Sequence, residues 1–247
     1  MPDRPVSILI VDDDPDTRRN LSDILGDLGY RTAAAEDGPA ALAEVARTPF
    51  DVVLLDFKMP GMNGLEVYRA IREWQPETVA IVISAYTDAA TRKQANELGV
   101  AGMLAKPVDF RQLLALVEQA AGEPLVLVID DDNDLCLSLW DLLRDRGYRV
   151  GVAKSGRAAA DRLKDRHYNV VLVDMRLPDG DGTAVARTVH EVDPAARTVI
   201  ITGHRGEVDP QVRQALAEGA DAVCYKPFDV PGLLKTIEDL AGSKPAV

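Results

Sequence analysis

Residues 8–14 read Ile8-Leu9-Ile10-Val11-Asp12-Asp13-Asp14, and the stretch returns at 126–132 as Val126-Leu127-Val128-Ile129-Asp130-Asp131-Asp132. Four aliphatic residues running into three aspartates describe a buried strand that ends at a cluster of charge. The recurrence is not isolated. Val52-Val53-Leu54-Leu55-Asp56 returns as Val170-Val171-Leu172-Val173-Asp174, and Ile81-Val82-Ile83-Ser84 as Val199-Ile200-Ile201-Thr202, each 118 residues on. Lys106-Pro107 returns as Lys226-Pro227, 120 residues on, so two residues are inserted before the last landmark. A unit of about half the chain has been duplicated, and a period this long marks tandem domains, since solenoid repeats run at roughly 20 to 50 residues. The boundary falls at Gly122-Glu123-Pro124, giving domains over 1–122 and 123–247.

Within each unit, short β-branched runs alternate with helical patterns, the signature of βαβ construction around a parallel sheet. Strands are expected near 6–11, 31–35, 51–56, 79–84 and 100–105, and again near 125–130, 148–153, 169–174, 197–202 and 221–225. Leu21, Ile24, Leu25 and Leu28 mark the core face of the first helix by their i, i+3, i+4, i+7 spacing, and Phe110, Leu113, Leu114 and Val117 that of the fifth. Leu135, Leu139, Leu142 and Leu143 do so for the first helix of the second unit. Asp14-Pro15 is a helix start, with the carboxylate capping free amides and proline suited to the first turn; Asp132 is expected to cap in the same way.

The 247 residues carry a net charge of −12 and are 47% hydrophobic, an ordinary globular composition. The acidic surplus argues against a nucleic-acid surface, which needs basic groups to displace phosphate counterions. Cys136 and Cys224 are the two cysteines, too few for a disulfide framework or a zinc knuckle, which points to a reducing compartment and small-hydrophobe roles for both. The first apolar run is cut by aspartates after Val11, and the longest others are strand-sized, so neither a signal peptide nor a membrane span is expected. These features describe a cytoplasmic protein.

Parallel sheets of this kind bind ligands at the carboxyl ends of their strands, so the residues closing each strand are the informative ones. In the first unit these are Asp12-Asp13, Asp56, Ser84 and then Lys106; in the second, Asp130-Asp131, Asp174, Thr202 and Lys226. Carboxylates crowded together repel by about 4 kcal/mol per pair at ~4 Å and an effective dielectric of 20, unless a cation joins them. Oxygen ligands of this number favour Mg2+, which keeps several waters and takes one or two carboxylates with phosphate oxygens. A carboxylate, a hydroxyl, a lysine and that ion together suit phosphoryl transfer, with Asp56 and Asp174 as nucleophiles.

These residues resemble, twice over, the receiver domain of bacterial two-component response regulators. The likeness rests on Asp12-Asp13, Asp56 with Met59-Pro60 and Gly64, Ser84-Ala85 and Lys106-Pro107, and in the second copy on Asp130-Asp131, Asp174 with Leu177-Pro178 and Gly182, Thr202-Gly203 and Lys226-Pro227. It implies two tandem doubly wound (βα)5 flavodoxin-like α/β domains, each with a parallel sheet of order 2-1-3-4-5. It also implies that Asp56 and Asp174 accept phosphoryl groups from a phosphohistidine on a sensor histidine kinase or histidine phosphotransfer protein. Mg2+ would be held by Asp12, Asp13, Asp56 and the backbone carbonyl of Lys58, with Asp130, Asp131, Asp174 and the carbonyl of Arg176 as counterparts. Lys106 and Lys226 would pair with the phosphoryl group, and each following Lys-Pro bond would be cis, an isomer that proline makes accessible. Tyr86, His204, Lys58 and Arg176 would stand at the mouths of the sites, where they could tune access of water to the phosphoryl group.

The family usually places Tyr or Phe three residues before the lysine; here those positions are Met103 and Val223, which bears on how the signal leaves the domain. The second unit ends near Leu240 with seven residues after it, so no effector is expected within the chain, and output would be phosphorylation-dependent protein contact. Alternatives are a phosphorylation-independent adaptor or the N-terminal part of a longer regulator. A phosphatase resembling the haloacid dehalogenase-like family would place a second acid two residues after the nucleophile, where Lys58 and Arg176 stand. The first unit has no histidine, and His190 lacks a helical-bundle setting, so transfer between the two acceptors is expected to use an external protein. His167 and His190 are expected at the surface.

Overall fold

A computed structural model describes residues 5–85, 88–203 and 210–242, so Tyr86 and His204 lie outside the described residues. The chain forms two compact units that divide between Gly122 and Glu123. The first runs β1 (Ser7–Val11), α1 (Pro15–Asp27), β2 (Arg31–Ala35), α2 (Gly38–Arg47), β3 (Val52–Asp56), α3 (Gly64–Trp74), β4 (Val79–Ser84), α4 (Ala89–Leu98), β5 (Gly102–Ala105) and α5 (Phe110–Gly122). All its strands are parallel, in the order β2-β1-β3-β4-β5. The second unit repeats the plan with β6 (Leu125–Ile129), α6 (Asn133–Arg144), β7 (Arg149–Ala153), α7 (Gly156–Asp165) and β8 (Val170–Asp174), then α8 (Gly182–Val192), β11 (Arg197–Thr202), α9 (Pro210–Ala217), β12 (Ala222–Tyr225) and α10 (Val230–Ala241). Its sheet order is β7-β6-β8-β11-β12, the same 2-1-3-4-5 pattern. Between β8 and α8 it adds a small antiparallel hairpin, β9 (Arg176–Leu177) with β10 (Gly180–Asp181).

Each sheet is covered on both faces, which is why its inner strands are apolar without alternation. In β1, Ile8 and Ile10 face α1 and α5 and pack with Leu21, Leu25, Leu113 and Val117, while Leu9 and Val11 face the opposite core with Val45, Leu65 and Ile71. The second unit divides likewise, with Val126 and Val128 on one face and Leu127 and Ile129 on the other. Helical spacing overreached at the helix ends. Leu28 is 54% exposed, and Ile24 and Phe110 are also at the surface, because the sheet face under α1 and α5 covers a stripe narrower than four apolar positions. In α6, Leu139 and Leu143 are buried as expected while Leu135 and Leu142 are half-buried, and Cys136 and Trp140 share the core face.

The strand ends turn into helices through carboxylate caps. Asp14 accepts from the Asp16 amide, and Asp132 from those of Asp134 and Leu135. Asn63 and Glu66 form a reciprocal capping box at the start of α3. Both Lys106-Pro107 and Lys226-Pro227 are cis. Among the described residues no helix is long and apolar enough to cross a membrane. His190 is exposed on α8, and His167 is about half exposed and paired with Asp193.

Candidate functional site

The carboxyl end of the first sheet brings together β1, β3, β4 and the residue after β5. Asp12 and Asp56 are buried there, and Asp13 beside them is exposed. Lys106 Nζ reaches across the sheet end to Asp12 Oδ2 at 2.9 Å and Asp56 Oδ2 at 3.0 Å. The second oxygen of Asp12 accepts from the Asp14 amide at 2.9 Å, which orients it from its own turn. Asp56 Oδ1 faces the Lys58 amide at 3.4 Å. Ser84 is buried at the tip of β4, and its carbonyl accepts from the Lys106 amide at 3.0 Å, tying hydroxyl and lysine to one rung of the sheet. Asp56, Phe57, Lys58, Ser84, Ala85 and Lys106 line an open cavity above the strand ends.

Burial raises the Asp56 carboxyl above its ordinary pKa, Lys106 opposes that by hydrogen bonding, and the nearby Asp12 charge adds to the rise. Burial pulls the Lys106 ammonium down, but its bonds to Asp12 and Asp56 outweigh this and leave its pKa raised. Lysine is thus a fixed cation over two buried acids.

Oxygens of Asp12, Asp13 and Asp56 can lie within 4.8 Å of one another. An all-oxygen set of that size suits a small hard cation, so these residues fit magnesium. The Lys58 amide faces Asp56, and its carbonyl, expected as a metal ligand, follows in the same loop.

In the second unit, Lys226 Nζ bridges Asp130 Oδ2 at 2.6 Å and Asp174 Oδ1 at 2.7 Å, and Asp130 Oδ1 accepts from the Asp132 amide at 2.9 Å. Thr202 is buried at the end of β11, and its carbonyl accepts from the Lys226 amide at 2.8 Å. The backbone contact differs. Arg176 N donates to Asp174 Oδ2 at 2.8 Å, a full hydrogen bond where the first unit has a long one. Among the described residues, three carboxylates with oxygens within 4.8 Å of one another are found in the first unit, as Asp12, Asp13 and Asp56.

Sequence reasoning passed over two features that shape the sites. The carbonyl of Asp12 accepts from Arg18 Nη1 at 2.6 Å, and 118 residues on the Cys136 thiol donates to the carbonyl of Asp130 at 3.3 Å. Burial, with the charges of Asp130 and Asp132, pushes that thiol up to about 11. The other is Asp179, whose two oxygens accept from the amides of Gly156 and Arg157 at 2.9 Å each, joining the loop after Asp174 to the start of α7. Pro178-Asp179-Gly180 is a turn signature, so the hairpin was readable; its attachment to α7 was not, because that contact spans 22 residues.

The family described as response regulator receiver domain matches residues 8–118 and 126–238. A response regulator receiver protein of Anaeromyxobacter sp. strain Fw109-5 is 36% identical over 233 residues, which cover 94% of each chain. The sensor histidine kinase GacS of Pseudomonas protegens is 31% identical over 63% of this chain, which spans only 18% of that kinase. The solved structure of the Vibrio cholerae chemotaxis protein CheY4 is 30% identical, covering 47% of this chain and 99% of its own, with a TM-score of 0.46.

Proposed function

This chain belongs to the response regulator receiver domain family in both of its units, and on that premise we propose that Asp56 and Asp174 are its phosphoryl acceptors. Receiver domains are the phosphoacceptor signalling modules of two-component systems. What supports the assignment within the chain is the lysine bridge: Lys106 and Lys226 each bind one strand-end aspartate from the first strand and one from the third.

The donor is a phosphohistidine on a sensor histidine kinase or phosphotransfer protein. A carboxylate oxygen of Asp56 attacks phosphorus, the N–P bond of the phosphoimidazole breaks as the O–P bond forms, and the departing imidazole takes up a proton from solvent. Lys106 supplies positive charge beside the acceptor, and the buried Ser84 hydroxyl stands at the neighbouring strand end to donate to a phosphoryl oxygen. Asp12, Asp13 and Asp56 would hold magnesium, which when bound would supply positive charge to offset that of the phosphoryl oxygens. Output is phosphorylation-dependent protein contact, with Met103 and Val223 where the family places an aromatic ring.

Incubation with a small-molecule phosphodonor and magnesium, followed by intact mass measurement, tests this reading. Wild type gains up to two phosphoryl groups, Asp56→Asn and Asp174→Asn up to one each, and chelation of magnesium abolishes both. Absence of any magnesium-dependent adduct on either aspartate overturns it.

A further inference from the structure

We infer that the two acceptor sites are unequal: magnesium goes first to the first unit, because Asp179 stakes the loop after Asp174 in a form that keeps the second acceptor engaged by protein donors. The inference rests on the receiver reading above.

Three contacts point the same way. The lysine bridge is closer in the second unit, 2.6 and 2.7 Å against 2.9 and 3.0 Å, and an incoming cation competes with that ammonium for the negative charge of the same two carboxylates. Both oxygens of Asp174 receive short hydrogen bonds, Oδ1 from Lys226 and Oδ2 from Arg176 N at 2.8 Å, whereas Asp56 Oδ1 faces an amide only at 3.4 Å. Asp12, Asp13 and Asp56 converge, and their counterparts are not among the converging groups of described residues.

The loop explains the difference. In the second unit, Arg176 belongs to the β9–β10 hairpin, paired with Asp181, and Asp181 caps α8 by accepting from Thr183 N. At the hairpin tip, Asp179 places both oxygens on the amides of Gly156 and Arg157, which as first-turn donors of α7 have no carbonyl partner within the helix and favour a negative charge. These backbone bonds hold the Asp179 carboxyl below its ordinary pKa. The corresponding residue 118 positions earlier is Gly61, which has no side chain and takes φ +82°; each helix is also capped from its own turn, α7 by Ser155 and α2 by Asp37, but where α7 offers the Arg157 amide α2 has Pro39, which has none. The loop after Asp56 therefore has no such stake, and the Lys58 amide sits back from the acceptor. Asp179 touches neither acceptor nor cation; it is a positioning residue acting through Arg176.

Isothermal calorimetry with magnesium chloride on the full chain tests the assignment. Two binding steps are expected, separated by about tenfold or more in Kd, the range that outer-shell partners control. Asp13→Asn removes the tighter step and Asp131→Asn the weaker. Asp179→Ala, an exposed change, narrows the separation by tightening the weaker step, and the isosteric Asp179→Asn moves it in the same direction. Two steps of equal affinity, loss of the tighter step in Asp131→Asn, or an unchanged separation in both Asp179 variants overturns the inference. If equal steps accompany adducts on both aspartates, the inference alone fails; if no magnesium binds and no adduct forms, the receiver reading fails with it.

Discussion

A Cβ atom on Gly64 would stand 2.5 Å from the carbonyl oxygen of Asp56, and one on Gly182 would stand 2.3 Å from that of Asp174. The helix that follows each acceptor thus begins in contact with the backbone of the acceptor itself, and glycine is what lets it. Gly64 N also donates to the carbonyl of Phe57 at 3.1 Å, and Gly182 N to that of Met175 at 3.0 Å, which pins the approach. Because the obstacle is backbone, it cannot move aside as a flexible side chain would. Gly64→Ala is expected to cost about 1–3 kcal/mol, the range of core overpacking, and to slow modification of Asp56. Gly26→Ala, with open space around its Cβ, should change stability by less than about 1 kcal/mol. Urea midpoints of the two variants check the contrast.

Lys106 bridges Asp12 and Asp56, and Asp13, the exposed member of the trio, lies outside that bridge. Removing its charge relieves repulsion when no metal is bound. Asp13→Asn should therefore raise the denaturation midpoint in chelator at low salt, and lose the stabilisation that magnesium gives the parent through mass action. A midpoint below wild type in chelator would contradict the electrostatic account.

The raised pKa of Lys106 has a consequence at high pH. A group whose folded pKa exceeds its unfolded one contributes stability that is complete below the unfolded value, here the ordinary lysine pKa of 10.5, and lost as pH rises through the folded value. The metal-free protein should weaken in that alkaline window. Tyr30 and Tyr148, both raised by burial, titrate with the same sign, so the lysine share is read as the difference from Lys106→Met. The variant should be less stable than wild type near neutrality, since it leaves Asp12 and Asp56 facing each other, and should show a shallower alkaline decline. Equal alkaline slopes would show that the bridge does not contribute.

Leu113 and Leu28 both satisfy the helical apolar spacing, but Leu113 is fully buried and Leu28 is 54% exposed. Leu113→Ala should cost about 2–5 kcal/mol, as buried leucine truncations do. Leu28→Ala should fall within about 0.5 kcal/mol of wild type. Thermal or urea unfolding of the two variants side by side decides the point.

Much of this molecule is written locally. Val11 running into Asp12, and Leu55 into Asp56, mark buried strands and their charged ends without reference to anything distant, because strand burial on both faces and the cost of clustered carboxylates leave a direct trace in the residues. The duplication at 118 residues gave the domain count, and residue order gave the ingredients of each site. Which apolar positions are covered was less legible: Ile24, Leu28 and Phe110 have the right spacing but lie past the stripe of helix that the sheet reaches.

What only the tertiary structure decided is the difference between two copies built from the same residue types. Lys226 and Lys106 are equivalent in sequence, as are Asp174 and Asp56, yet the loop beyond Asp174 is a hairpin joined to α7 by Asp179, and its amide reaches the acceptor. A carboxylate and the helix turn it caps, 22 residues apart, share no periodicity or motif, so their meeting is a product of the fold. Residue types determined by themselves that there are two strand-end sites of matching composition. Packing between a loop and a neighbouring helix decided that the two sites have different geometry, because hydrogen-bond strength depends on tenths of an ångström that no sequence pattern encodes.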